Sequence, residues 1–141
     1  MSSGLDVFDS TLEKSNLILK DIEADLGWET RRNQSYLILR TVLHALRDRL
    51  PAEEAVHFSA QLPLLLKGVF FDGWNIEEVP YKMNKEEFVE YIAANFPFDV
   101  PMLLPELIRR VSGIIFRHID EGAARKVISS LPKDIISIVC E

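Results

Sequence analysis

"SAQLPLLLKGVFF" (Ser59–Phe71) and "SSLPKDIISIV" (Ser129–Val139) each set Leu-Pro after a polar residue and before an apolar run. Proline lacks the N–H that a helix interior needs, but its fixed φ suits a helix start. Leu-Pro therefore reads as a corner: the leucine fills the core while the proline stops one helix and begins the next. "RDRLP" (Arg47–Pro51) has the same form.

Working outward, apolar residues recur at helical spacing. Phe8, Leu12, Leu19, Ile22 and Leu26 give a first helix, with Asp6 or Asp9 as its cap and Gly27 as its left-handed end. A second, from near Thr30, turns Tyr36, Leu39, Val42, Leu43, Leu46 and Leu50 inward. Pro51 and Pro63 suit the first turns of two short helices, and Ala55, Phe58, Ser59 and Leu62 form the inner face of the earlier one. "DGWN" (Asp72–Asn75) is a turn, and the stretch to Met83 is a connector. Asn84 with Glu87 approximates a capping box for a helix through Phe96. Leu104, Leu107, Ile108, Val111, Ile115 and Ile119 mark a sixth helix, Asp120 caps a seventh, and Pro132 opens the last. "IISIV" (Ile135–Val139) is β-branched enough for a short strand; its alignment with "LLKGV" favours helix.

That alignment comes from sliding the chain against itself, without a gap, until Arg40 meets Arg109. At the same offset Val42 meets Val111, Ala55 meets Ala124, and Leu62-Pro63 meets Leu131-Pro132. The apolar faces agree as well: Leu46 with Ile115, Phe58 with Val127, Leu66 with Ile135. The expected fold is all-α, one domain over 1–141, with about eight helices in two tandem, pseudo-symmetric four-helix units. Unit one covers about 5–71, the connector about 72–83, and unit two about 84–141.

"LHALRDRLPAEEAVHFSAQLPLLLKGVFFDGW" (Leu43–Trp74), with the downstream "KEEFVEYIAANF" and "SSLPKDI", resembles the bacterial family called domain of unknown function 2267. Its members typically carry an Arg-Asp-Arg-Leu-Pro corner, a Gln-Leu-Pro corner and an aromatic-acidic-Gly-Trp turn. The resemblance covers nearly the whole chain. It implies no activity and no site residues, because the family has none established.

The composition is globular, at 48% hydrophobic and 27% charged. A net charge of −6 argues against a mainly electrostatic grip on nucleic acid or anionic lipid. Apolar runs fall short of the ~20 residues that span a bilayer, and "MSSGLDVFDS" lacks the pattern of a signal peptide. With one cysteine, Cys140, the chain can form neither an intrachain disulfide nor a cysteine-based metal cluster. A cytoplasmic location is the expectation.

Glu54-Ala-Val-His57 has the Glu-x-x-His spacing of helical di-iron sites, but a matching half-site is missing: Ala123 and Lys126 stand at the equivalent places. A solvated helix face is the plainer reading. His44 and Asp48, four apart, supply two metal ligands where a site needs at least a third. His118, beside Asp120 and Glu121, reads as helix-end electrostatics. There is no phosphate-cradling glycine loop and no nucleophile elbow, so the expectation is a non-enzyme with neither cofactor nor metal. Arg40, His44 and Arg47 share one helix face, opposite much of the core pattern, and Arg109, Arg110 and Arg117 echo them. These could hold an anion or acidic partner, or pair with nearby carboxylates. On the short helices Lys67 and Lys133 stand almost alone, against a duplicated DNA-reading helix. In the connector Phe71, Trp74 and Tyr81 are either core pins or partner anchors, and pinning is preferred. The functional expectation is an interaction or regulatory module that binds another protein, with homo-oligomers open. The alternative is an anion-binding domain using the arginines of the long helices.

Overall fold

A computed structural model describes residues 2–140. Eight α-helices follow in order: α1 (Asp6–Leu26), α2 (Arg32–Arg49), α3 (Ala52–Ser59), α4 (Leu64–Phe71), α5 (Lys85–Asn95), α6 (Leu104–Arg117), α7 (Glu121–Ser129) and α8 (Lys133–Val139). A 3₁₀ turn, Ile76–Glu78, interrupts the connector, and no strand occurs among the described residues. "IISIV" is therefore helical.

The Leu-Pro corners work one residue earlier than expected. Pro51, Pro63 and Pro132 are N-caps with φ of −55°, −56° and −60° and extended ψ, not first-turn residues. A residue before proline is pushed out of helical conformation, so the leucine leaves the preceding helix. The proline carbonyl then accepts the first bond of the next one: from Ala55 at 3.0 Å, Lys67 at 2.8 Å and Ile136 at 2.9 Å. Leu50, Leu62 and Leu131 are buried beneath these corners.

Other ends follow the residues present. Gly27 takes φ +70°, the left-handed conformation that costs glycine nothing. Asn84 and Glu87 form a full capping box, with bonds of 2.8 and 2.9 Å. Asp120 accepts the Ala123 N–H at 3.1 Å. At the start of α1 the expectation fails: Leu5 is the N-cap, and Asp9 instead accepts the N–H of Ser3 at 2.8 Å, tying down the approaching chain.

Helix α2 lies at the centre, packed against α1, α4, α5 and α6. Ile38, Leu39, Val42, Leu43, Ala45 and Leu46 are consequently all buried. Ile38 had no place in the expected inner face, whereas Tyr36 did and is exposed. Moved back by the offset that sets Arg109 on Arg40, α5–α8 fall on 16–26, 35–48, 52–60 and 64–70, beside α1–α4. The packed pairs α2–α4 and α6–α8, α1–α2 and α5–α6, α1–α4 and α5–α8 correspond, as do α1–α6 and α2–α5. The proposal of two tandem units rests on this order and these neighbours. Helix α1 extends further at its N-terminal end, over 6–15, where α5 has no counterpart.

Candidate functional site

The basic residues of α2 meet the C-terminal end of α4. Arg47, expected on the outward face, is buried. One guanidinium nitrogen donates to the carbonyls of Phe70 at 2.8 Å and Asp72 at 2.9 Å, and the other two grip the Asp48 carboxylate at 2.8 and 3.1 Å. Carbonyls in the last turn of a helix lack intrahelical partners, and a planar fork of N–H groups can satisfy several at once. Tyr91 of α5 donates its hydroxyl to Asp48 at 2.8 Å. Burial, then this bond to a carboxylate, pushes the Tyr91 phenol pKa up, so it remains a donor. His44 completes the cap, its Nε2 2.7 Å from the Val69 carbonyl. Burial holds the His44 pKa below its ordinary value, with Arg47 and Arg40 pressing the same way. Neutral His44 thus donates from Nε2. Arg40 reaches the Asp72 carboxylate at 3.1 Å.

Arg109 and Arg110 go elsewhere. Arg110 lies 3.8 Å from Asp25 of α1. The Arg109 Nε is enclosed and makes no hydrogen bond among the described residues. Arg40, His44 and Arg47 thus converge on α4 as a structural cap, and the second cluster does not join them.

In the connector, Gly73 turns the chain at φ +78°. Trp74 folds back half-buried, its ring 5.0 Å from Phe71, which in turn lies 5.1 Å from buried Phe70. Tyr81 is held by its backbone N–H, 2.6 Å from the Asp48 carbonyl, while its side chain is exposed. Because Trp74 is only half-buried, Trp74→Ala should cost about 2 kcal/mol, below the ~3–5 of a fully buried tryptophan. A lowered urea midpoint at unchanged slope would register this; an unchanged midpoint would exclude the pinning role.

A feature the sequence reading missed lies on the other side of α4. Leu12, Leu19, Tyr36, Leu39, Leu65 and Val69 line a mainly apolar groove of about 320 Å³ between α1, α2 and α4, with Asn16 and Arg32 also in its lining. Leu39 is in its floor, while Leu12 (50% exposed) and Leu65 (47%) stand open on its walls. The Leu65 N–H donates to the Thr11 hydroxyl at 2.7 Å, fixing the two walls together. Phe8, 57% exposed, continues the stripe one turn up α1. Phe8, Leu12 and Tyr36 were all expected inside. The missed signal is length: the apolar pattern of α1 continues beyond the reach of its counterpart α5.

Residues 15–138 match a family model described as "Uncharacterized conserved protein (DUF2267)". The chain belongs to that family. No curated protein matches it. The DUF2267 span takes in the Arg47 cap, the connector and all the Leu-Pro corners, and begins after Leu5, Phe8 and Leu12. The open apolar turns of α1 lie ahead of the family match. Among the described residues no helix is long and apolar enough to cross a membrane.

Proposed function

We propose that the protein is a non-enzymatic interaction module that seats a basic amphipathic helix of another protein in the groove between α1, α2 and α4. The observation carrying this reading is the open stripe of Phe8, Leu12 and Leu65 over an apolar floor. Contiguous apolar surface of this kind is characteristic of binding sites, and leucine-type anchors at helical spacing are what such grooves receive.

Charge selects the partner. Of the six acidic residues of α1, Asp21, Glu23 and Asp25 pair with His118, Arg32 and Arg110. That leaves Asp6, Asp9 and Glu13, and Asp9 and Glu13 each follow an apolar residue of the stripe by one position. Two copies meeting through this face would bring these carboxylates together, whereas basic flanks would complement them. The alternative of anion binding is less favoured here, because Arg47 and His44 commit N–H groups to α4 and Arg40 pairs with Asp72, although Arg40 and His44 also line a small pocket of about 130 Å³.

A designed helical peptide of about five turns, with leucines at i and i+4 and lysine flanks, tests the reading by fluorescence anisotropy. It should bind, and a glutamate-flanked version should not. Leu12→Asp should weaken binding at least tenfold with the unfolding midpoint nearly unchanged, because an exposed side chain contributes little to stability. Binding of neither peptide, equal binding of both, or a Leu12-dependent homodimer in sedimentation would each overturn the proposal.

A further inference from the structure

The Glu-x-x-His pair lines a surface cleft in which Glu54 is largely enclosed while the His57 side chain is 51% exposed. Helices α3 and α7 pack together, and between them lies a cleft of about 330 Å³ lined by Glu54, His57, Phe58, Ala123, Lys126 and Val127. Ala123 and Lys126 are the repeat equivalents of Glu54 and His57, so the cleft draws on matching positions of both halves. The Glu54 side chain is 17% exposed, and its Oε1 lies 3.9 Å from His57 Nδ1 and 3.8 Å from Lys126 Nζ. Both distances exceed hydrogen-bond length. The other oxygen, Oε2, is shielded from solvent and makes no hydrogen bond among the described residues. Oε1, the oxygen that remains open to the cleft, is the acceptor a ligand can reach.

The charges decide what could satisfy it. A metal ion on Glu54 and His57 would sit against the Lys126 ammonium, and like charges at that range repel. An inorganic anion on Lys126 would meet the Glu54 carboxylate in the same way. A ligand bearing both signs avoids each conflict: its ammonium bonds Glu54 while its carboxylate bonds Lys126 and His57. Such a ligand replaces two loose ionic contacts by three charge-assisted hydrogen bonds. The Ala60 and Ala123 methyls supply apolar surface beside the charges, with Phe58 and Val127 closed to solvent beneath. The volume is at the small end for ligand sites. We infer that the α3–α7 cleft is a binding site for a small zwitterion with an aliphatic side chain, an amino acid of the leucine or valine type.

Titration calorimetry on the full chain tests this with L-leucine, with isoamylamine (the same side chain without the carboxylate) and with 4-methylpentanoate (without the amine). L-Leucine should bind with one site per chain, and each truncated compound at least tenfold more weakly. Lys126→Met changes an exposed side chain and should preserve the fold while weakening leucine binding at least tenfold; Glu54→Gln should do the same. No heat with L-leucine, amine binding as tight as leucine, or full affinity in well-folded Lys126→Met would overturn the assignment. The site lies apart from the α1–α2–α4 groove, so Leu12→Asp should leave leucine binding unchanged.

Discussion

Arg47→Met should lower the unfolding free energy by about 3–5 kcal/mol, the range for breaking a buried charged network from one side. The substitution keeps the apolar stem but removes every N–H. It leaves the Phe70 and Asp72 carbonyls without those donors and Asp48 with only the Tyr91 hydroxyl among its side-chain donors. Methionine fills the space and cannot satisfy the oxygens, so the desolvation cost remains. Arg47→Lys should recover only part of the loss, since one ammonium cannot grip a carboxylate and two carbonyls in the same geometry. Urea unfolding at constant slope measures both variants. If Arg47 served an anion instead, stability would fall by under ~1 kcal/mol, as for an ordinary surface charge.

Phe58→Ala should cost a similar ~3–5 kcal/mol, for a different reason. The ring is fully buried, meets Phe70 of α4 edge-on at 5.3 Å and lies 6.2 Å from Phe116 of α6. It therefore joins α3 to both α4 and α6. Truncation opens a cavity where three helices meet, and close packing leaves little room for collapse. Thermal and urea unfolding should still show one cooperative transition at a lower midpoint. A loss well short of that range would mean that the surrounding helices can close the gap.

Much of this architecture is written locally. Leu-Pro at three corners, Asn84 with Glu87, Asp120 and Gly27 each act on the backbone within a few residues, so each specifies a helix end without reference to the rest of the chain. Expectations failed where local rules fall silent. A proline in the first turn and one at the N-cap differ by a single position, and both satisfy the same steric rule. Tyr36 and Ile38 on α2 both fit an apolar pattern, but how many neighbours surround that helix depends on segments far away along the chain.

The candidate sites were less legible for the same reason. Arg40, His44 and Arg47 have the spacing of one helix face, which composition alone reads as solvated; the end of α4, with its unsatisfied carbonyls, turns that face into a buried cap. Phe8 and Leu12 continue a helical stripe that sequence reads as core; only the packing of α4 beneath them leaves the upper turns open. Glu54 and Lys126 are distant in sequence and meet because α3 packs on α7. The sequence by itself determined the helices, most of their ends to within a residue and the all-α class, because capping, proline sterics and helical periodicity are short-range. Tertiary structure alone decided which polar groups lost water and which apolar ones kept it, because burial depends on what the rest of the chain places alongside.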